Sequence, residues 1–248
     1  MDLVLDTGAS QSILPWGFVQ ANRLRVTNRN TDDIMRDANG RLTQMARLSV
    51  PVQFEGEPTA GALEFLVNPA DAGVEGILAP QDLVRSGGAL IIDLGHEELR
   101  YEPEEAALQR LAADASSPLR EVDFHGCLAE GLFNRSHRIV SATVNGVSSN
   151  MLIDTGASLT ALTRNNPAIP NMLSSKGTRE TAGGVSSRGA AFVVNDVPVV
   201  FSQTSFKMPV IVLPASQQCF EGALGADVLR HCTLVWGYSS LWAACRAP

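Results

Sequence analysis

Short apolar segments alternate along the chain with segments rich in Gly, Asn and Pro, and this series occurs twice. The apolar segments lie near residues 2–6, 42–54, 62–67 and 89–94, and again near 139–153, 190–201, 206–213 and 233–236. Short strands separated by such turn residues are typical of β-barrels and β-sandwiches. The sequence therefore predicts an all-β fold with only a few short helices.

Three short helices are predicted beside these strands. One runs from Pro80 to Arg85 and ends before two glycines. Residues 226–231 form its counterpart in the second half of the chain. A third begins near Pro103, a residue typical of helix starts, and runs to about Ala113.

The pentapeptide Asp-Thr-Gly-Ala-Ser occurs at residues 6–10 and again at residues 154–158. The similarity extends further, since segments 3–5, 50–54, 65–69 and 75–78 match segments 151–153, 197–201, 210–214 and 221–224. A period of more than half the chain indicates two homologous lobes rather than a solenoid. We predict an N-terminal lobe at 1–113, a linker at 114–122 and a C-terminal lobe at 123–248.

The two copies differ in what precedes them. Before the second copy, an Asn145-Gly146 turn separates two apolar strands, which predicts a β-hairpin leading into Asp154. Only five residues precede Asp6. We therefore expect the first lobe to lack its leading strand and Met1 to mark an internal or truncated start. Any secretory signal peptide would then lie upstream.

Composition limits the classes of function. Of the 248 residues, 45% are hydrophobic and 18% are charged, which is typical of a folded chain. The net charge is -7 and the basic residues are scattered, so nucleic acid is not an expected partner. The sequence has no apolar stretch long enough to span a bilayer, so no membrane span is expected in this chain.

All four cysteines, Cys127, Cys219, Cys232 and Cys245, lie in the second half. Their even number indicates two disulfides with three possible pairings, and hence a periplasmic or secreted protein. Four free thiols in a cytosolic protein are the alternative. His125 and His231 lie near two of the cysteines and suggest a zinc site, but a Cys-x-x-Cys pair is missing. We expect no metal and no cofactor.

The repeated motif carries the candidate chemistry in Asp6 and Asp154. Two adjacent carboxyls that share one proton can deprotonate an attacking water and protonate a leaving nitrogen. Gly8 and Gly156 suit a tight turn beneath the carboxylates, where a Cβ would crowd the site or forbid a positive φ. The hydroxyls of the adjacent threonines can hydrogen-bond across the junction.

Asp-Thr-Gly-Ala after an apolar strand, followed by an apolar-apolar-Gly segment and a short helix, resembles the retropepsin-like aspartic peptidases. The chain is similar to the bacterial single-chain type, in which two β-barrel lobes are fused and the active site lies at their interface. The resemblance implies an aspartic endopeptidase with Asp6 and Asp154 as catalytic residues. It implies interlocking hydrogen bonds from Thr7 and Thr155, with Gly8 and Gly156 at the floor of the cleft. Ser10, Ser158, Gly76 and Gly222 are expected to have structural roles.

The resemblance also implies a glycine-rich β-hairpin, the flap, that closes over an extended polypeptide substrate. In the second lobe residues 182–189 fit it, with Gly183, Gly184 and Val185 at the tip. In the first lobe the offset indicates residues 37–41, where Asn39 and Gly40 form a turn signal. An ordinary surface hairpin is the alternative for each. The substrate would pair its backbone with these hairpins by strand addition.

Two other functions compete with the endopeptidase. A peptide-binding module could keep the fold without turnover, and a zinc hydrolase could use the Cys and His residues, although no His-Glu-x-x-His motif supports it. The first lobe also departs from the family pattern. It has Ala79-Pro80-Gln81-Asp82-Leu83 where the second has Gly225-Ala226-Asp227-Val228-Leu229. Because fused lobes supply both aspartates, we expect an active monomer.

Overall fold

A computed structural model describes residues 3–26, 34–36, 42–52, 61–67, 76–113, 117–126, 137–172, 178–183, 188–213 and 219–248. The strands are β1 (Leu3–Leu5), β2 (Ile13–Leu14), β3 (Ile34–Arg36), β4 (Leu42–Gln44), β5 (Ala46–Val52), β6 (Gly61–Val67), β7 (Gly76–Leu78), β8 (Gly88–Asp93), β9 (Glu98–Pro103), β10 (Arg120–Glu121), β11 (Phe124–His125), β12 (Ile139–Val144), β13 (Val147–Ile153), β14 (Ala161–Leu162), β15 (Thr178–Gly183), β16 (Arg188–Phe201), β17 (Thr204–Val212), β18 (Gly222–Leu224), β19 (Cys232–Gly237) and β20 (Leu241–Cys245). The helices are α1 (Trp16–Ala21), α2 (Pro80–Leu83), α3 (Glu104–Ala112), α4 (Ile169–Met172) and α5 (Ala226–Leu229).

Six strands of the second half close into a ring, which we call the C-terminal barrel. Its order is β12-β13-β18-β14-β17-β16, and β12 pairs with β16 to complete the ring. Apolar side chains fill the interior because alternate residues of each strand point inward. Val140, Val144 and Met151 are fully buried there, together with Phe201 and Phe206.

Five strands of the first half form the N-terminal sheet, in the order β1-β7-β2-β6-β5. Each pairing repeats one in the C-terminal barrel: β1 runs parallel to β7 as β13 does to β18, and β5 antiparallel to β6 as β16 does to β17. Among the described strands, no counterpart of β12 pairs with β1 or β5. The N-terminal sheet is therefore open where the C-terminal barrel is closed.

A third sheet, the central sheet, connects the two regions in the order β10-β20-β19-β8-β9. Strand β8 pairs antiparallel with β19, and Ile91 lies directly opposite Val235. Both residues are buried, and Ala107 of α3 packs against them from one side. Hydrogen bonds and apolar packing within the central sheet thus join the first half of the chain to the second.

The mostly β fold is confirmed, as are three predicted helices, α2, α3 and α5. The predicted hairpin before Asp154 is also confirmed, since β12 and β13 pair antiparallel around Asn145 and Gly146, whose φ angles are both positive. Helices α1 and α4 and the shortest strands were not predicted. Among the described residues, no helix is long and apolar enough to cross a membrane.

Candidate active site

Asp6 and Asp154 lie at the ends of two equivalent strands and meet each other. The backbone N–H of Asp6 donates to Leu78 O, and that of Asp154 donates to Leu224 O, both at 3.0 Å. These bonds extend the pairing of β1 with β7 and of β13 with β18. The two carboxyl groups are hydrogen-bonded to each other. The structure thus brings together the two aspartates that the repeat singles out.

The turn after each aspartate fixes the orientation of its carboxyl. Asp6 Oδ1 accepts hydrogen bonds from the backbone N–H groups of Gly8, at 2.8 Å, and Ala9, at 3.0 Å. Asp154 Oδ1 accepts two equivalent hydrogen bonds from the backbone N–H groups of residues 156 and 157, both at 3.0 Å. One oxygen of each carboxyl is therefore held by the protein backbone, which orients the other.

Thr7 and Thr155 bind each other across the junction. The N–H of Thr7 donates to Oγ1 of Thr155 at 3.1 Å, and the N–H of Thr155 donates to Oγ1 of Thr7 at 2.9 Å. Each hydroxyl then donates onward, from Thr7 to Ile153 O at 2.8 Å and from Thr155 to Leu5 O at 2.6 Å. Each hydroxyl is thus both acceptor and donor. These four bonds tie the two aspartate-bearing strands to each other.

Gly8 and Gly156 lie against the aspartate of the other half. A Cβ on Gly8 would lie 2.5 Å from Cγ of Asp154, and one on Gly156 would lie 2.6 Å from Cγ of Asp6. Neither glycine has a positive φ. Of the two reasons offered by the sequence for glycine here, crowding therefore applies, and the backbone-conformation reason is wrong.

Burial raises the pKa of both carboxyls, and the neighbouring carboxyl acts on the two in opposite directions. For Asp154 the largest cause is desolvation, followed by the charge of Asp6. For Asp6 the largest cause is also desolvation, opposed by the hydrogen bond from Asp154 and by the backbone bonds of its turn. Because two adjacent carboxylates cannot both ionise cheaply, the pair retains one proton over a wide range of pH. That is the protonation state needed for acid and base catalysis at one site.

A second pair of aspartates, Asp82 and Asp227, supports the two turns. Asp82 Oδ2 accepts from the N–H of Ser12 at 2.8 Å, and Asp227 Oδ2 accepts from the N–H of Thr160 at 3.0 Å. The departure of the first half from the family pattern near residue 80 therefore leaves this contact intact. The sequence did not predict this support, because the two aspartates stand one position apart in the repeat, where Asp227 aligns with Gln81.

The predicted flap residues fall largely outside the described part of the chain. Asn39, Gly40, Gly184 and Val185 lie outside it, and Gly183 is the last described residue of β15. The strands on either side are described. Strand β3 pairs antiparallel with β4, and β15 with β16, up to the pair Gly183 and Arg188. The flap assignment stays a prediction.

The sequence allows the cysteines to be either disulfides or metal ligands. Cys232 and Cys245 form a disulfide between the neighbouring strands β19 and β20, and Cys219 is also disulfide-bonded. The sulfur of Cys232 is thus unavailable to the zinc site suggested by its neighbour His231. Within the described residues, no three His, Cys, Asp or Glu side chains cluster as a metal site would require.

Comparison with known families gives one match. Residues 140–228 match the family model described as aspartyl protease, a range that extends from β12 through α5 and contains Asp154. No curated protein matches the chain. The match supports an aspartyl protease family and, with it, a hydrolase that acts on peptide bonds.

Proposed function

We propose that this protein is an aspartic endopeptidase of the single-chain, two-lobed type, in which Asp6 and Asp154 together activate water. The main support is the reciprocal bonding of Thr7 and Thr155, which holds the two carboxyl groups in contact. A merely structural carboxyl pair would be a costly use of two buried charges, because no Lys or Arg in the described part of the chain forms an ion pair with either carboxyl to offset its desolvation. The matching turns on the two aspartates also favour a shared reaction centre.

The proposed reaction uses both protonation states of the pair. The ionised carboxylate accepts a proton from water while the water oxygen attacks the carbonyl carbon of the substrate. The neutral carboxyl donates a proton to the carbonyl oxygen, which gives a tetrahedral intermediate. The carboxyl that took its proton from water then gives it to the peptide nitrogen, while the other carboxylate takes a proton from a hydroxyl of the intermediate, and the carbon–nitrogen bond breaks. These two transfers restore the singly protonated pair.

The proposed substrate is a polypeptide in extended conformation. Strands β3 and β4 and strands β15 and β16 flank the two predicted flap turns, and hairpins of this kind offer backbone groups for strand addition. We propose a monomer as the active form because both aspartates belong to one chain. The disulfides favour an oxidising location, periplasmic or secreted.

A cleavage assay on a labelled, unfolded polypeptide between mildly acidic and neutral pH tests the proposal. We expect D6N and D154N each to lower kcat/KM by about 10³-fold or more, because either change removes the shared proton system. Asp196→Asn, at an exposed residue paired with Lys207, is the matched control and should retain activity. Cleavage that survives both dyad substitutions would contradict the mechanism. Peptide binding without turnover by the unmodified protein would instead support a peptide-binding module.

A further inference from the structure

His137 lies beside the aspartate pair but belongs to neither copy of the repeated motif. It comes just before β12, and its ring lies beside the backbone of Gly8, in the turn that holds Asp6. The ring also packs edge-on against Phe220, with 6.4 Å between ring centroids. A histidine from the second half of the chain therefore contacts the aspartate turn of the first half.

The neighbouring residue anchors this histidine firmly. The carbonyl of Arg138 accepts a hydrogen bond from the N–H of Ile153, whose own carbonyl accepts from Thr7. The buried Arg138 guanidinium lies 4.0 Å from the ring centroid of Trp236 and donates to the carbonyl of Gly237. These bonds fix the backbone that follows His137, and its ring lies beside Gly8.

One ring nitrogen of His137, Nδ1, is buried but takes no part in the hydrogen bonding of the described fold. Among the described residues, Nδ1 has no hydrogen-bond partner, so Nε2 is the nitrogen that can donate to the Gly8 carbonyl. A buried polar atom without a partner costs free energy and calls for an explanation. Here Nδ1 is a site for a proton, because the charge of Asp6 favours the protonated form of this ring.

The other charged groups near the His137 ring are engaged elsewhere. The guanidinium of Arg138 is directed to the carbonyls of Gly237 and Ser240. Glu221, next to Phe220, accepts a hydrogen bond from the backbone N–H of Asn150. Among the described ionisable groups, Asp6 is the one whose charge bears on His137, and no described histidine acts on Asp154 in the same way.

Resting on the function proposed for the dyad, we propose that His137 is a positioning residue that makes the two aspartates unequal. It holds the Asp6 turn through the Gly8 carbonyl and favours the arrangement with the negative charge on Asp6 and the shared proton on Asp154. Asp6 is then the carboxylate that accepts the proton from water. Asp154 is the carboxyl that donates to the substrate carbonyl.

The sign of the pH effect follows from the charges. Burial lowers the pKa of His137, and the charge of Asp6 opposes this effect. As the pH falls, a proton on His137 stabilises the Asp6 carboxylate, so Asp6 stays ionised to lower pH than it otherwise would. Removal of the imidazole should therefore move the acidic limb of the pH profile upward. The alkaline limb, which reports loss of the shared proton, should move little because His137 is neutral there.

The pH dependence of kcat/KM for H137Q and H137A tests this role. Glutamine can still donate to the Gly8 carbonyl but cannot carry charge. We expect the acidic limb of H137Q to rise by about one pH unit, with activity at the optimum within about threefold of the unmodified protein. H137A should show the same shift and a further loss at the optimum. His231→Gln is the control, since that ring packs against Phe206.

Carbon-13 NMR titration of the aspartate carboxyls gives a readout that needs no activity. In the unmodified protein Asp6 should titrate at lower pH than Asp154, and in H137Q the two should move closer. An unchanged acidic limb in a folded H137Q, or an unmodified protein in which Asp154 titrates at lower pH, would overturn the inference. If the unmodified protein cleaves nothing, the proposed function fails, while the order of titration still decides the role of His137.

Discussion

The N-terminal sheet and the C-terminal barrel share one strand order, yet the first is open and the second is closed. In the barrel, β12 pairs with both β13 and β16, whereas among the described strands β1 pairs with β7 alone. The aspartate turns are nevertheless alike, and the N–H bonds of Asp6 and Asp154 to the neighbouring strands have the same length of 3.0 Å. Local turn bonds and the reciprocal threonine contacts are therefore sufficient to shape the site. Barrel closure is not needed for its geometry.

Within this comparison, the largest effect is expected from substitutions in the two aspartate turns, which test whether both turns contribute equally to catalysis. G8A and G156A each introduce a Cβ that would lie within 2.6 Å of Cγ of the opposing aspartate, so the carboxyls must separate. We expect both substitutions to lower kcat/KM by about 10²-fold or more, and by similar factors. Kinetics of peptide cleavage with each purified variant would measure this effect.

Gly17→Ala provides the control for these variants. A Cβ on Gly17 of α1 would meet nothing within 4 Å, so its activity should not change. A large loss of kcat/KM in one of G8A and G156A but not in the other would show that the two turns contribute unequally to catalysis, although their hydrogen bonds are equivalent.

The second prediction concerns stability, where the two regions should differ. Ile153 in β13 is fully buried between two paired strands, whereas the corresponding Leu5 in β1 is only partly buried. Ile153→Ala should lower the free energy of unfolding by about 3 kcal/mol, and Leu5→Ala by about 1 kcal/mol. The second loss is smaller because Leu5, at the open edge, buries less apolar surface when the protein folds. Urea denaturation of both variants measures the difference. Equal losses would mean that β1 is as well packed as β13.

Much of the fold was predictable because its signals lie close together in sequence. Apolar alternation identified the long strands, and Asn145-Gly146 identified the hairpin that completes the barrel. Strands of two residues, such as β2 and β14, are too short to show a period of two. Helix α1 was missed because it has neither an N-cap hydrogen bond nor an acidic first turn.

The site was predictable only as far as the repeat extends. The doubled motif indicated that Asp6 and Asp154 meet, and the structure brings them together; their catalytic roles stay predictions. His137 carried no signal, because its contact with Gly8 joins residues far apart in sequence. His125 and His231 carry the stronger signal in the sequence, since they lie beside cysteines. Long-range contacts of this kind depend on packing, which a single sequence does not reveal.

The smallest expected effect concerns the central sheet, which joins the two regions and is itself asymmetric. At one end Asp93 of β8 lies opposite Thr233, whose hydroxyl donates to Asp93 Oδ2 at 2.7 Å. At the other end Ala89 lies opposite Gly237, and neither offers such a bond. Desolvation raises the pKa of Asp93, but the bonds from Thr233 and His96 outweigh it and leave the pKa lowered.

A lowered pKa means that the Asp93 carboxylate stabilises the folded state above its unfolded pKa of about 3.9 and that this contribution is lost as the pH falls through the folded value. D93N should therefore lower the free energy of unfolding by about 1 kcal/mol at pH 7. The difference from the unmodified protein should shrink below about pH 4. Urea denaturation at several pH values checks this, with Asp123→Asn as the exposed control. If the difference in the free energy of unfolding persists at low pH, the shape of the Asp93 side chain, rather than its charge, stabilises the central sheet.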